Sequence, residues 1–240
     1  MKHPFERAAR YTRHVMGVLW MPVAASALAS PPVVEDTGVV AAGECFVESS
    51  VVRSSAGRTV SAAPACGLGA GFELTVERAV QSGSEGKGQT GMVLKWSPEA
   101  LRMSLGGHEV SWGAWLATAR AKPAGKQVQA GESSLALITS VQASPELSWH
   151  VHVGVVRPDA SAPWSRLTHA ALYWSPLAAV QWFGELQTFA RRDLMGQAVV
   201  ATGARIWIVP DRWGVFFRSQ KASDRPTGWS LGLGWYPPAF

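Results

Sequence analysis

The 240 residues contain no uninterrupted apolar run of about 18 residues, so no helix is expected to span a membrane. Charge is sparse, at 16%, and tyrosine is rare, with three residues against twelve tryptophans. That ratio suits a membrane–water interface, where the indole ring is apolar and its N–H stays wet. The motifs of common catalytic folds are missing too: no GxSxG, HExxH, P-loop or strand–helix GxGxxG occurs, and the run GLGAG at 67–71 leads into a strand. No enzyme activity and no cofactor are expected. There is no basic stripe, which excludes a nucleic-acid partner. Only two cysteines are present, and no ligands at metal spacing surround them.

The first residues read as a secretory signal. Lys2, Arg7, Arg10 and Arg13 precede a short apolar segment at 15–29, which ends in Ala27, Leu28 and Ala29 before Ser30. Pro22 within the run argues against an ordinary amphipathic helix. Four basic residues less Glu6 carry +3 of the formal +5, leaving +2 for the rest. The expected organisation is a signal peptide at 1–29, a lead-in and Cys hairpin at 30–67, and a barrel at 68–240. In an exported chain, Cys45 and Cys66 are expected to pair. They would close a loop worth roughly 3 kcal/mol in the chain-entropy model.

Beyond Leu68 a period of two repeats. Segments 69–79, 89–97, 109–119, 134–143, 146–156, 167–175, 179–190, 197–209, 212–220 and 227–236 alternate apolar and polar residues. Connections alternate as well. Short turns carry Pro98, Pro145, Pro176 and Pro210, and longer polar loops lie at 81–88, 120–132, 157–166, 191–196 and 221–226. A sandwich has no reason to sort its connections so, whereas a membrane barrel has short periplasmic turns and longer outer loops. The fold expected is all-β: an antiparallel up-and-down transmembrane β-barrel of about ten strands, in a range of eight to twelve, preceded by a disulfide-closed hairpin. The turn at 98–108 is too long for the scheme and implies extra structure or an early strand start.

Trp96, Trp149, Trp174, Trp182, Trp213 and Trp235 sit near the short-turn ends, where an interfacial girdle belongs. Glu73, Glu77, Lys95, Glu185, Arg205 and Arg218 fall on the opposite faces and would point into the lumen. They read first as a network of buried pairs, because buried charges need partners. The sharper alternative is a polar channel lined by the same groups. His150, His152 and His169 are also inward. Hydrogen-bonded lumen histidines are favoured over a metal or ligand site, since no carboxylate or Cys completes a tetrahedron.

The C-terminal stretch GWSLGLGWYPPAF alternates Trp229, Leu231, Leu233 and Trp235 and ends in Phe240. Here the chain resembles the outer-membrane β-barrel families of Gram-negative bacteria. Its lead-in and Cys hairpin are loosely similar to phenol-degradation outer-membrane channels. The resemblance implies an outer-membrane location, lipid and the barrel insertion machinery as partners, and a last strand read for insertion. Pro237 and Pro238 depart from that pattern and would stop the strand at Tyr236. The favoured reading is a structural barrel or narrow channel with no known small-molecule substrate. A soluble periplasmic β-protein binding a small apolar ligand is the alternative, and an outer-membrane hydrolase using His169 with Ser165 or Ser175 and Asp193 is the third. In brominated lipid the tryptophan fluorescence should be strongly quenched. Unquenched emission would place the rings in a protein core and sink the membrane reading.

Overall fold

The computed structural model describes residues 36–54, 57–82, 88–122, 129–190, 197–210, 212–222 and 227–236. The expected signal peptide and Phe240 lie outside them. Thirteen strands follow in chain order. They are β1 (Cys45–Ser54), β2 (Gly57–Gly69), β3 (Phe72–Ser82), β4 (Gly88–Trp96), β5 (Arg102–Leu105), β6 (His108–Lys122), β7 (Gln129–Ser144), β8 (Leu147–Arg157), β9 (Ser165–Leu177), β10 (Val180–Ala190), β11 (Gln197–Val209), β12 (Trp213–Ala222) and β13 (Gly228–Trp235). Sequential neighbours pair antiparallel, β4 pairs β6 directly, and β1 pairs β13 from Val47↔Trp235 to Arg53↔Trp229. Twelve strands therefore close into a barrel. The fifth is a short continuation of β4 along the start of β6.

Ten of these are the expected strands. The count is twelve because the Cys45–Cys66 segment is not a hairpin ahead of the barrel. It forms β1 and β2 of the wall, in register from Cys45↔Cys66 to Ser54↔Gly57, with the disulfide formed. Closure explains the difference: β13 would be an open edge without β1 beside it, and an edge cannot face hydrocarbon. The long turn after β4 holds extra structure, a 3₁₀ turn at Glu99–Leu101 and then β5, whose side chains are all exposed.

Connections β2–β3, β7–β8, β9–β10 and β11–β12 are short and lie at one end, which both chain ends of the barrel share. The side chains sort as the alternation requires. Outside lies a continuous apolar surface including Leu94, Leu116, Leu137, Val153, Leu172, Val200, Ile206, Phe217 and Leu231, all exposed. The six tryptophans expected as a girdle are exposed and near the short-turn end. Trp174 pairs across strands with Trp182, and Trp213 with Trp235, the latter rings 5.9 Å apart. Inside are Glu73, Glu77, Lys95, the three histidines, Glu185 and Arg218, all buried. This is the inverse of a soluble barrel with an apolar interior for a ligand, and it overturns that alternative.

Bulk inside the barrel is balanced by its absence. Strand β13 turns only Gly228, Ser230, Gly232 and Gly234 inward, and all four are buried. They leave room for the Phe216 ring of β12, which is 1% exposed. A Cβ on Gly232 would lie 1.9 Å from that ring and 2.5 Å from the Ser49 carbonyl oxygen. Gly232→Leu should therefore destabilise the barrel by about 3 kcal/mol through overpacking, read as a lower temperature of heat-modified gel mobility. Gly184→Ala, where a Cβ meets nothing within 4 Å, should leave that temperature unchanged.

Candidate functional site: the lumen and its N-terminal strap

Each lumen side chain is placed by strand parity. Odd positions of β3, β4, β9, β10 and β11 face in, and so do even positions of β1, β8, β12 and β13. Among the described residues three ion pairs result. Lys95 Nζ lies 3.4 Å from Glu73 Oε1 on the neighbouring strand, with Lys95 opposite Glu73 in register. Arg218 donates through Nε and Nη2 to Glu185 Oε2, at 3.0 and 2.8 Å, from β12 to β10. It also donates to Gln220 on its own strand. Arg205 Nη2 donates to Glu48 Oε1 at 3.1 Å, from β11 to β1. The last two pairs join strands that are not neighbours, so these side chains cross part of the lumen. Five of the six expected network residues enter these pairs. Glu77 is buried on the same face of β3 as Glu73.

Sequence reasoning missed Glu48. It sits in a stretch, CFVESSVVRS, taken for part of a separate hairpin. In the wall, Glu48 points inward beside Arg205, and the Tyr236 hydroxyl also donates to its carboxylate. Tyr236 stacks on Phe46 at 5.1 Å and meets the edge of Trp207 at 5.3 Å. Arg205 lies over Trp207, 5.6 Å from its centroid. These groups form a plug of rings and charges at the short-turn end, on the β1–β11 side.

The histidines lie on the β8–β9 side. His152 and His169 are direct cross-strand partners, their rings 6.0 Å apart, and Trp115 of β6 packs on His152 at 5.9 Å. His150 shares hydrogen bonds with Ser140 Oγ at 2.8 Å and Ser148 Oγ at 3.1 Å, and its ring meets Tyr173. Among the described residues no group of three His, Cys, Asp or Glu is placed to hold a metal ion. Nor do the hydrolase candidates converge. His169 and Ser165 lie four residues apart on β9, about 13 Å at the strand rise, and Ser175 is farther still. Asp193 lies outside the described residues. Apolar groups fill the space between: Tyr173 with Phe183 and Ala171, and Leu167 with Ala136 and Val156.

A second missed feature crosses the lumen. Residues 36–43 fold back over the start of β1 and run inside the short-turn end. Gly43, at φ +82°, makes the reversal that a Cβ would strain. Its N–H donates to the Gly67 carbonyl at 3.0 Å, and Gly67 N–H donates to Glu44. Gly67 itself leaves the passage, since a Cβ there would lie 2.2 Å from the carbonyl oxygens of Val40 and Ala41. Val40 N–H donates to Glu73 Oε2 at 3.0 Å. Thr37 N–H donates to Ser140 Oγ at 2.9 Å, and the Thr37 hydroxyl bonds Ser111 Oγ. Thr37 is 4% exposed. The contacts of Thr37 are one backbone amide and one hydroxyl, which leave no periodic trace in a sequence.

No family model matches the chain, and no curated protein matches it by sequence. Solved structures match its fold. The KdgM porin in complex with disordered oligogalacturonate aligns over 81% of this chain and 99% of its own, with a TM-score of 0.61 at 10% identity. The NanC porin aligns over 80% and 98%, with a TM-score of 0.58 at 9% identity. The fold is thus that of an outer-membrane porin-type barrel.

The Arg218–Glu185 pair is nearly inaccessible, with side-chain exposures of 5% and 0%. Removing one partner strands a buried charge, so Glu185→Gln should destabilise the barrel by about 3–5 kcal/mol. The double change Glu185→Leu with Arg218→Met should be close to neutral. Unfolding in urea from detergent checks both, and equal losses in single and double variants would contradict the pairing argument.

Proposed function

We propose that this chain is an outer-membrane barrel with a narrow channel role and no catalytic step of its own. The observation that carries the reading is the inversion of its two faces. Leucine, valine and tryptophan cover the outside, while ion pairs and histidines line the inside. A wall whose every strand is paired round a closed ring suits hydrocarbon, and a polar lining suits water or a polar solute. The porin fold of the structures it resembles supports the same reading. Lipid is then the partner of the outer face, and the insertion machinery meets the chain through β13, which ends at Trp235.

One of those porins was solved with oligogalacturonate, an acidic sugar chain. The lumen here presents Glu48, Glu73, Glu77, Glu132 and Glu185 against Lys95, Arg205 and Arg218. That acidic excess favours small neutral or cationic solutes over a polyanion. A purely structural barrel is the second reading, favoured by the packing of Phe183, Phe216, Leu167 and Ile138 into the interior, all buried.

Two measurements test the reading. Leu137, 68% exposed on the outer face, is the position to change. Leu137→Arg should lower the stability of the lipid-inserted barrel by about 2–4 kcal/mol, where an exposed leucine of a soluble protein would tolerate it. Planar-bilayer recordings should show small, weakly ion-selective conductance. A chain that is monomeric and soluble without detergent would end the proposal.

A further inference from the structure

We infer that residues 36–43 act as a removable plug at the short-turn mouth, hinged at Gly43 and moored beside the Cys45–Cys66 pair. The inference rests on the channel reading above. Three observations carry it.

The first is the path. The strap leaves the wall at β1 and makes its farthest bonds on β6 and β7, at Ser111 and Ser140. Counted round the ring, β7 stands five places from β1 of twelve, close to the opposite wall. The Arg205–Glu48–Tyr236 group occupies the other side of the same end. Strap and side-chain group together take up that mouth.

The second is how the strap is held. Its lumen contacts are hydrogen bonds at Val40 and Thr37, and two of the three wall groups they reach, Glu73 and Ser140, have other partners; the third is Ser111. Glu73 also faces Lys95, and Ser140 also bonds His150. If the strap leaves, the Glu73 charge stays paired and the Ser140 hydroxyl stays bonded. Detachment therefore avoids the large penalty of a stranded buried charge.

The third is the contrast between its ends. At β1 the chain is fixed by the disulfide, by full strand pairing and by the Gly43–Gly67 bonds. Beyond Gly43 the strap belongs to no strand of the wall; its one ladder contact is the isolated bridge between Ala42 and Gly67. Gly38, Ala41, Ala42 and Gly43 keep it thin. A fixed root, a glycine bend and a thin arm secured by a few bonds make a hinged device.

The test uses the full-length protein with Ser111→Cys as a reporter beneath the strap. Reaction with a water-soluble maleimide is timed in the parent, in a deletion of residues 36–42, and in Gly67→Ala, whose Cβ has no room beside the strap. Heat-modifiable mobility shows that each barrel is folded. Labelling should be about tenfold faster or more without the strap, the factor that loss of two ordinary hydrogen bonds gives. Bilayer conductance of the deletion should rise in parallel. Faster labelling with no conductance in any variant supports the plug and removes the channel reading. Equal labelling rates in the parent and in folded variants overturn the plug. Should the deletion fail to fold, Gly67→Ala decides alone.

Discussion

A strand wall in hydrocarbon can leave no backbone N–H or C=O unpaired, and the pairing of β1 with β13 meets that constraint here. The rest follows from it. Closure makes the first and last strands neighbours and brings both chain ends of the barrel to one side. It also gives every strand two faces with different solvents. Once the ring is closed, a period of two in the sequence becomes lipid outside and lumen inside, with no third possibility. The disulfide lies on the other side of β1 from that seam. It ties β1 to β2 at the start of the strand that closes the barrel.

The lumen inherits a second constraint from the first. Twelve tilted strands enclose limited space, and half of all strand side chains must fit within it. Large and small residues therefore alternate round the interior. Phe216 lies over Gly232, and a Cβ on Gly203 would lie 2.4 Å from the Phe183 ring. Charges placed in such a space must be paired, since water is partly excluded. The pairs from β10 to β12 and from β1 to β11 act as cross-ties between non-adjacent strands. The sheet alone cannot supply such ties, because its hydrogen bonds run only between neighbours.

What the sequence disclosed, and what it withheld, follows from these two constraints. Ten strands were legible because Trp, Leu and Val alternate with Glu, Lys, His and Gly over eight residues or more, as in GWSLGLGW. Strands β1 and β2 were not read as wall. GRTVSAAPACGLG alternates in burial, yet its outward residues include arginine, alanine and proline and its inward ones serine, alanine and glycine, so the hydropathy period is weak. Losing those strands meant losing Glu48, and with it the partner of Arg205. Inward charges could be assigned by parity, but parity does not say which of them meet. That depends on register and on who stands across the lumen. The histidines show the limit well. Parity puts His152 and His169 on one face, but their direct opposition comes from the β8–β9 register, and His150 turns to Ser140 and Ser148 instead.

The strap was illegible for a different reason. Two of its lumen bonds begin at backbone amides, and any residue but proline offers one; the third is a lone threonine hydroxyl. Its signature is on the receiving side: a glycine at 67 with no room for a Cβ, and polar wall groups with one more partner than the wall requires. The obstruction in this barrel is thus of two kinds. Phe183, Phe216 and the Arg218–Glu185 tie belong to the wall, and removing them would alter its packing. The strap belongs to the chain before the wall, and the barrel pairs completely without it. A passage through this lumen would have to tolerate the first kind and displace the second. On the channel reading, that division would place adjustable resistance at the short-turn mouth and fixed resistance at mid-lumen.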